Sequence, residues 1–173
     1  MSGEHSPDAG SFVVPLAELR RTLGSRRHLV LEGRVRDLAC SGSAVPEAAL
    51  LRADVFVEAI LGGVSVDGTV ESPWEGECRR CLSSAGGALA LEVHEVYTEG
   101  GDGDETYPLG GDEVDLEPLV RDAVLLELPQ APLCSPTCLG LCPTCGKNLN
   151  EGPCGCERPQ DPRWQSLDAL RET

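Results

Sequence analysis

The chain has 173 residues, of which 40% are hydrophobic but only 3% aromatic, and its formal net charge is −15. That length suits one ordinary domain, or a small domain with an appendage, whose core Val, Leu and Ala must fill. No apolar run approaches the ~18 residues a membrane span needs, and the start "MSGEHSPDAGS" lacks the basic and apolar regions of a secretory leader, so a cytoplasmic protein with no membrane contact is expected.

Residues 1–10 read as a disordered N-terminus. "FVVPLAEL" (12–19) reads as a short strand leading into a turn of helix. In "RRTLGSRRHLVLEGRVRD" (20–37), Leu29, Leu31 and Val35 alternate with polar neighbours, the mark of an edge strand. Gly24 and Ser25 supply a turn there. "SGSAVPE" (41–47) reads as a linker or loop.

Residues 53–99 read as a β meander. Val55, Val57 and Ala59 share one face, Gly62 and Gly63 turn the chain, and Val64, Val66 and Val70 follow. A third strand carries Leu89, Leu91 and Val93, with Val96 on the opposite phase. Alternation with one polar face is the antiparallel signature. "EGGDGDETYPLGGDE" (99–113) is a Gly- and Asp-rich loop whose spacing does not match a calcium loop. "DLEPLVRDAVLLELP" (115–129) is the clearest helix. Asp115 can cap it, Pro118 fits its first turn and Pro129 stops it. Leu116, Leu119, Val120, Ala123, Val124 and Leu126 form its apolar stripe, which should cover the sheet. "DPRWQSLDAL" (161–170) reads as a terminal helix whose Trp164 and Leu167 face one way, docked on the domain in preference to serving as a partner-binding motif.

The acidity is mostly one block. Residues 92–127 carry twelve acids and one Arg, a net −11 of the total −15. Such a block is a solvated face or a patch for a basic partner.

Nine cysteines punctuate the chain. An odd count in a cytoplasmic protein argues against a disulfide framework. Cys78 and Cys81 form "CRRC" at the end of a hairpin strand. The tail then supplies Cys134, Cys138, Cys142, Cys145, Cys154 and Cys156. Zinc takes four thiolates, and a C-x2-C turn brings two sulfurs to one ion. In "CPTCG", Pro143 stiffens such a turn and Gly146 allows positive φ after it. The natural division puts Cys78, Cys81, Cys134 and Cys138 in one site and Cys142, Cys145, Cys154 and Cys156 in a second. Two zinc ions per chain are therefore expected. Cys40 is left over as an idle thiol.

Other uses of these cysteines fit less well. "CLGLCPTC" has the C-x3-C-x2-C spacing of radical enzymes that use S-adenosylmethionine. Those need a large barrel, and only 28 residues follow Cys145. A thioredoxin-like "CRRC" needs a βαβ setting that the meander does not offer. An iron–sulfur or dithiol redox protein stands as the rival reading. No arrangement for nucleophilic catalysis, no phosphate-binding glycine loop and no small-molecule site is evident, so an enzyme is not expected. The fold class expected is α+β: a β-rich domain over residues 11–132, covered by one main helix, then a zinc-ribbon-like cysteine tail over residues 133–173.

In their order, "FVVPLAEL", "VSVDGTVESPWEGECRRCL", "DLEPLVRDAVLLELP", the six-cysteine tail and "DPRW" resemble the YceD family of large ribosomal RNA subunit accumulation proteins, especially its actinobacterial members. The resemblance spans residues 12–170. It implies a small β-rich cytoplasmic protein that supports large-subunit ribosomal RNA levels and ribosome biogenesis. It also implies a first metal site shared between hairpin and tail, because members without the long tail tend to keep a C-x2-C like Cys78 and Cys81, with Cys or His near the positions of Cys134 and Cys138. The partner would be ribosomal RNA or a basic ribosomal protein. For RNA, Arg20, Arg21, Arg26, Arg27, Arg79 and Arg80 are the candidate phosphate contacts. The scarcity of aromatics speaks against base stacking.

Overall fold

The computed structural model describes residues 12–101 and 106–157. Along them run β1 (Val13–Pro15), β2 (Arg26–Gly33), β3 (Ser43–Ala44), β4 (Leu51–Ile60), β5 (Gly63–Glu77), β6 (Ser84–Thr98), β7 (Tyr107–Pro108), β8 (Glu113–Asp115) and one helix, α1 (Glu117–Glu127). The expected disordered N-terminus and the expected helix at 161–170 lie outside the described residues.

The period-2 pattern does what it promised. Leu51, Ala53, Val55, Val57 and Ala59 of β4 are all buried, as are Val64, Val66 and Val70 of β5. The residues between them face outward, so each strand shows the core one side only. The main sheet runs β2-β4-β5-β6-β7, with β3 also on β5. Every pairing in it is antiparallel except β6 with β7. A second, two-stranded sheet joins β1 to β8. It lies with α1 over the apolar face, where Val14, Leu16, Val114, Leu116, Leu119, Val120 and Val124 enter one core with the sheet valines. Each such side chain contributes roughly 1.5–3 kcal/mol by leaving water.

The arrangement is the expected β-rich α+β fold with one helix. α1 is shorter than the 115–129 read from sequence. Asp115 lies ahead of it, and its carboxylate accepts from the Glu117 backbone N–H at 2.9 Å. Leu126 is a correction: it is 82% exposed, and Leu125 packs against the core instead. A second correction concerns 41–47. It is no free linker, because β3 pairs Ser43 with Gly76 and Ala44 with Glu75, and Ser43 Oγ donates to the Pro129 carbonyl at 2.8 Å. The crossing is so close that a Cβ on Gly76 would run into the Gly42 carbonyl.

One feature positions the cysteines. β4 leaves β5 at Glu71, yet β5 and β6 stay paired out to Glu77 and Ser84. Residues 72–77 and 84–89 thus form a two-stranded arm, to which β3 adds a short third strand. Trp74 lies on the arm and packs against both the main core and a smaller cluster of Cys78, Cys81, Ala85 and Cys138. Gly87, opposite it, leaves room for the indole.

Candidate metal centres

At the arm's tip the chain reverses through "CRRCL". Leu82 takes a positive φ of 60°, and its N–H donates to the Cys78 carbonyl at 2.9 Å. This turn aims Cys78 and Cys81 the same way. The tail comes back to it by three bonds. The Arg79 N–H donates to the Pro132 carbonyl, the Leu141 N–H to the Arg80 carbonyl, and the Arg80 guanidinium to the Cys138 carbonyl at 2.9 Å. Gly140, at φ 76°, lets the returning chain lie against Arg80.

The result is two sets of four sulfurs: Cys78, Cys81, Cys134 and Cys138, then Cys142, Cys145, Cys154 and Cys156. Within each set the sulfurs all lie within 4.8 Å of one another. In the first set Cys78 Sγ is 3.7 Å from Cys138 Sγ, and Cys81 Sγ is 3.5 Å from Cys134 Sγ. These separations are far too long for disulfides, and all nine thiols are free. They match a tetrahedron with metal–sulfur bonds of ~2.3 Å, whose edges are about 3.8 Å. A cluster of several irons would spread its cysteine sulfurs over more than one iron and so hold at least some of them farther apart.

The surroundings differ between sulfurs. Burial resists ionisation of Cys78, but backbone hydrogen bonds at Cys134, Arg80 and Cys81 outweigh it and lower its pKa to about 6. Ser83, through hydroxyl and backbone, lowers that of Cys81. Cys134 is raised to about 12 by hydrogen bonding to Cys81 and then Cys138. The second set repeats the pattern. Backbone hydrogen bonds at Cys145 and Thr144 lower Cys142 to about 6, and hydrogen bonding to Cys145 raises Cys156 to about 12. Each set can therefore hold negative charge and protons at once, as a metal-thiolate site does before loading.

The sequence reading missed Asn150. Its Nδ2 donates to Cys138 Sγ at 3.3 Å, and its Oδ1 accepts from the Leu139 N–H at 2.8 Å. Asn148 holds it in place by accepting from both the backbone and side-chain nitrogens of Asn150. Donors of this kind orient and tune thiolate ligands. Cys40 belongs to neither set. Its Sγ lies 3.5 Å from Ser43 Oγ, which lowers its pKa.

The arginines do not gather. Arg20, Arg21, Arg26 and Arg27 lie near the β4–β5 turn, since Arg26 pairs with Glu58 and Glu58 with Ser65. Arg79 and Arg80 sit at the arm's tip, roughly 40 Å farther along β5 at ~3.3 Å per residue. Arg20 pairs with Glu99, and Arg26 lies over the Phe56 ring at 4.1 Å. The side chains of Arg21, Arg27 and Arg79 have no partner among the described residues.

Comparison with known proteins adds the lineage. The family model described as large ribosomal RNA subunit accumulation protein YceD matches residues 66–171, which takes in the arm, α1 and both cysteine sets. An uncharacterized protein of Mycobacterium tuberculosis is 37% identical over 182 residues, covering 96% of this chain and 87% of its own length. One of Mycobacterium leprae is 32% identical over 121 residues, covering 66% of this chain and 56% of its own. A chloroplastic YCED homolog of large ribosomal RNA subunit accumulation protein from Arabidopsis thaliana is 41% identical over 54 residues, 31% of this chain and 17% of its own. No solved structure matches. With the family pattern running through more than half of the sequence, this chain belongs to the YceD family of large ribosomal RNA subunit accumulation proteins.

Proposed function

We propose that the protein is a non-enzymatic, zinc-binding cytoplasmic factor that supports large-subunit ribosomal RNA accumulation and ribosome biogenesis. The observation that carries the metal reading is the convergence of two four-sulfur sets with separations suited to one ion each. Cys78, Cys81, Cys134 and Cys138 would hold one zinc, and Cys142, Cys145, Cys154 and Cys156 another. When bound, zinc supplies folding free energy here. Four thiolates leave no open position for substrate or water, which is the pattern of structural rather than catalytic sites. On this reading a zinc-ribbon-like tail, residues 133–173, is clasped to a β-rich domain, residues 11–132, through the arm.

The ribosomal part rests on the family. Its partner would be ribosomal RNA or a basic ribosomal protein. The acidic block over 92–127 and the dispersal of the arginines favour the protein. Metal analysis and an absorption spectrum of anaerobically purified protein test the metal reading. Colourless protein with two zinc ions per chain is expected. Iron with visible absorption would instead support the iron–sulfur or dithiol redox reading. Deleting the gene tests the rest: large-subunit RNA should fall relative to small-subunit RNA, and an unchanged ratio would overturn it.

A further inference from the structure

We propose that the groove between α1 and the open edge of β6 docks an extended, basic segment of a partner protein, added as a further strand beside β6. Among the described residues, the far edge of β6 meets a strand only at Tyr97 and Thr98, where β7 pairs with it. From Ser84 to Val96 it pairs, among the described residues, on one side alone, with β5. An unpaired edge of that length is a template for strand addition.

Beside this edge α1 leaves a groove of about 220 Å³. Its floor is apolar, with Leu91 and Val93 from β6 and Leu119 and Ala123 from α1. Leu126, the helix residue that turns away from the core, lines it while 82% exposed. Its rim is acidic, with Glu92 and Glu95 from β6 and Asp122 and Glu127 from α1. No ion pair engages these four carboxylates among the described residues.

Three features therefore fit one ligand. The free backbone groups take a strand. The apolar floor takes alternate side chains, because a strand presents them to opposite sides. The carboxylates, of which Asp122 also accepts from the Tyr107 hydroxyl at 2.8 Å, take Lys or Arg, through charge complementarity that steers and orients a partner. A nucleic-acid strand would meet carboxylates of its own sign. The inference rests on the protein-partner arm of the function proposed above and on no property of the metal centres.

The test uses the full-length protein and a short labelled peptide of alternating Val and Lys. Saturable binding is expected, with slowed amide exchange over residues 86–96. Leu126→Arg, at an exposed site, should weaken binding about tenfold. The pair Glu92→Gln/Glu127→Gln should weaken it severalfold, less so in high salt. The pair Glu32→Gln/Glu47→Gln, distant from the groove, should leave it unchanged. Equal weakening by the distant pair, or unaltered exchange over 86–96, would overturn the proposal. So would an RNA oligonucleotide, rather than the peptide, losing affinity with Leu126→Arg. So would peptide binding by a chain ended after Glu157 but not by the full chain, because the groove's occupant would then be the protein's own C-terminal segment. Absence of peptide binding together with the expected fall of large-subunit RNA on gene deletion would refute the groove and leave the family reading standing; peptide binding with an unchanged RNA ratio would do the opposite.

Discussion

The guanidinium of Arg80 reaches across the arm's tip and donates to the backbone carbonyl of Cys138 at 2.9 Å, 58 residues away in sequence. Its neighbour Arg79, in the same turn, has no side-chain partner among the described residues. Two adjacent arginines thus have different structural duties.

Arg80→Ala is expected to lower stability by about 1.5–3 kcal/mol, the range for a hydrogen bond to a charged group, and to speed metal loss to a chelator. Arg79→Ala should change neither. Thermal melting and a chelator challenge on both variants decide it, and identical behaviour would leave the Arg80 bond without energetic weight.

The two cysteine sets should differ in reach. Cys78 and Cys138 are 60 residues apart, whereas the second set closes within residues 142–156. Bringing distant segments together removes more unfolded-chain entropy than closing a short loop. Cys78→Ser should therefore destabilise the whole fold, and Cys154→Ser should loosen only the tail after Leu141. Limited proteolysis and thermal unfolding separate the two. A Cys78→Ser protein that melts like wild type with full metal content would exclude that pair as ligands.

Metal binding should weaken as pH falls. With no metal bound at pH 7, Cys134 and Cys156 hold their protons, being raised to about 12, while Cys78 and Cys142, lowered to about 6, have lost theirs. Loading zinc must expel the remaining protons. Calorimetry at pH 7 in buffers of different ionisation heat should show proton release. Affinity should drop more steeply below about pH 6, where Cys78 and Cys142 must also be deprotonated. Affinity that does not vary with pH would contradict thiolate ligation.

Tyr97 is 1% exposed, and its hydroxyl has no hydrogen-bond partner among the described residues. A buried polar group left unpaired costs about 1–3 kcal/mol. Tyr97→Phe keeps the ring stacked on Tyr107, whose centroid is 5.0 Å away, and removes only that cost. The melting temperature should rise by a few degrees. A fall would mean that the hydroxyl has a partner in solution.

What the sequence made legible follows from its periods. β4 buries every second residue, and β5 buries Val64, Val66 and Val70 in the same rhythm, so Val and Ala at alternate positions announced them. The metal-ligating types are few, and the spacing of Cys78, Cys81 and the tail cysteines left one natural division, which the sulfur positions match. β3 and β7 are two residues long and carry no alternation to read. Asn150 was invisible for another reason. Its contact with Cys138 exists only because the Leu149–Glu151 turn folds back on the tail. α1 misled at one point, because an eleven-residue helix with adjacent Leu125 and Leu126 has room for one of them on its buried stripe.

The arm also imposes an order on synthesis. Cys81 leaves the ribosome 53 residues before Cys134. At ~5–20 residues per second, that is an interval of roughly 3–10 s. For that time the meander can pair while the arm's tip is a two-thiol half-site with nothing to close it. A part of the chain made later fastens a part made earlier. A nascent chain stopped before residue 134 can carry a paired meander but never a clasped arm, so the clasp marks the difference between a finished molecule and an interrupted one.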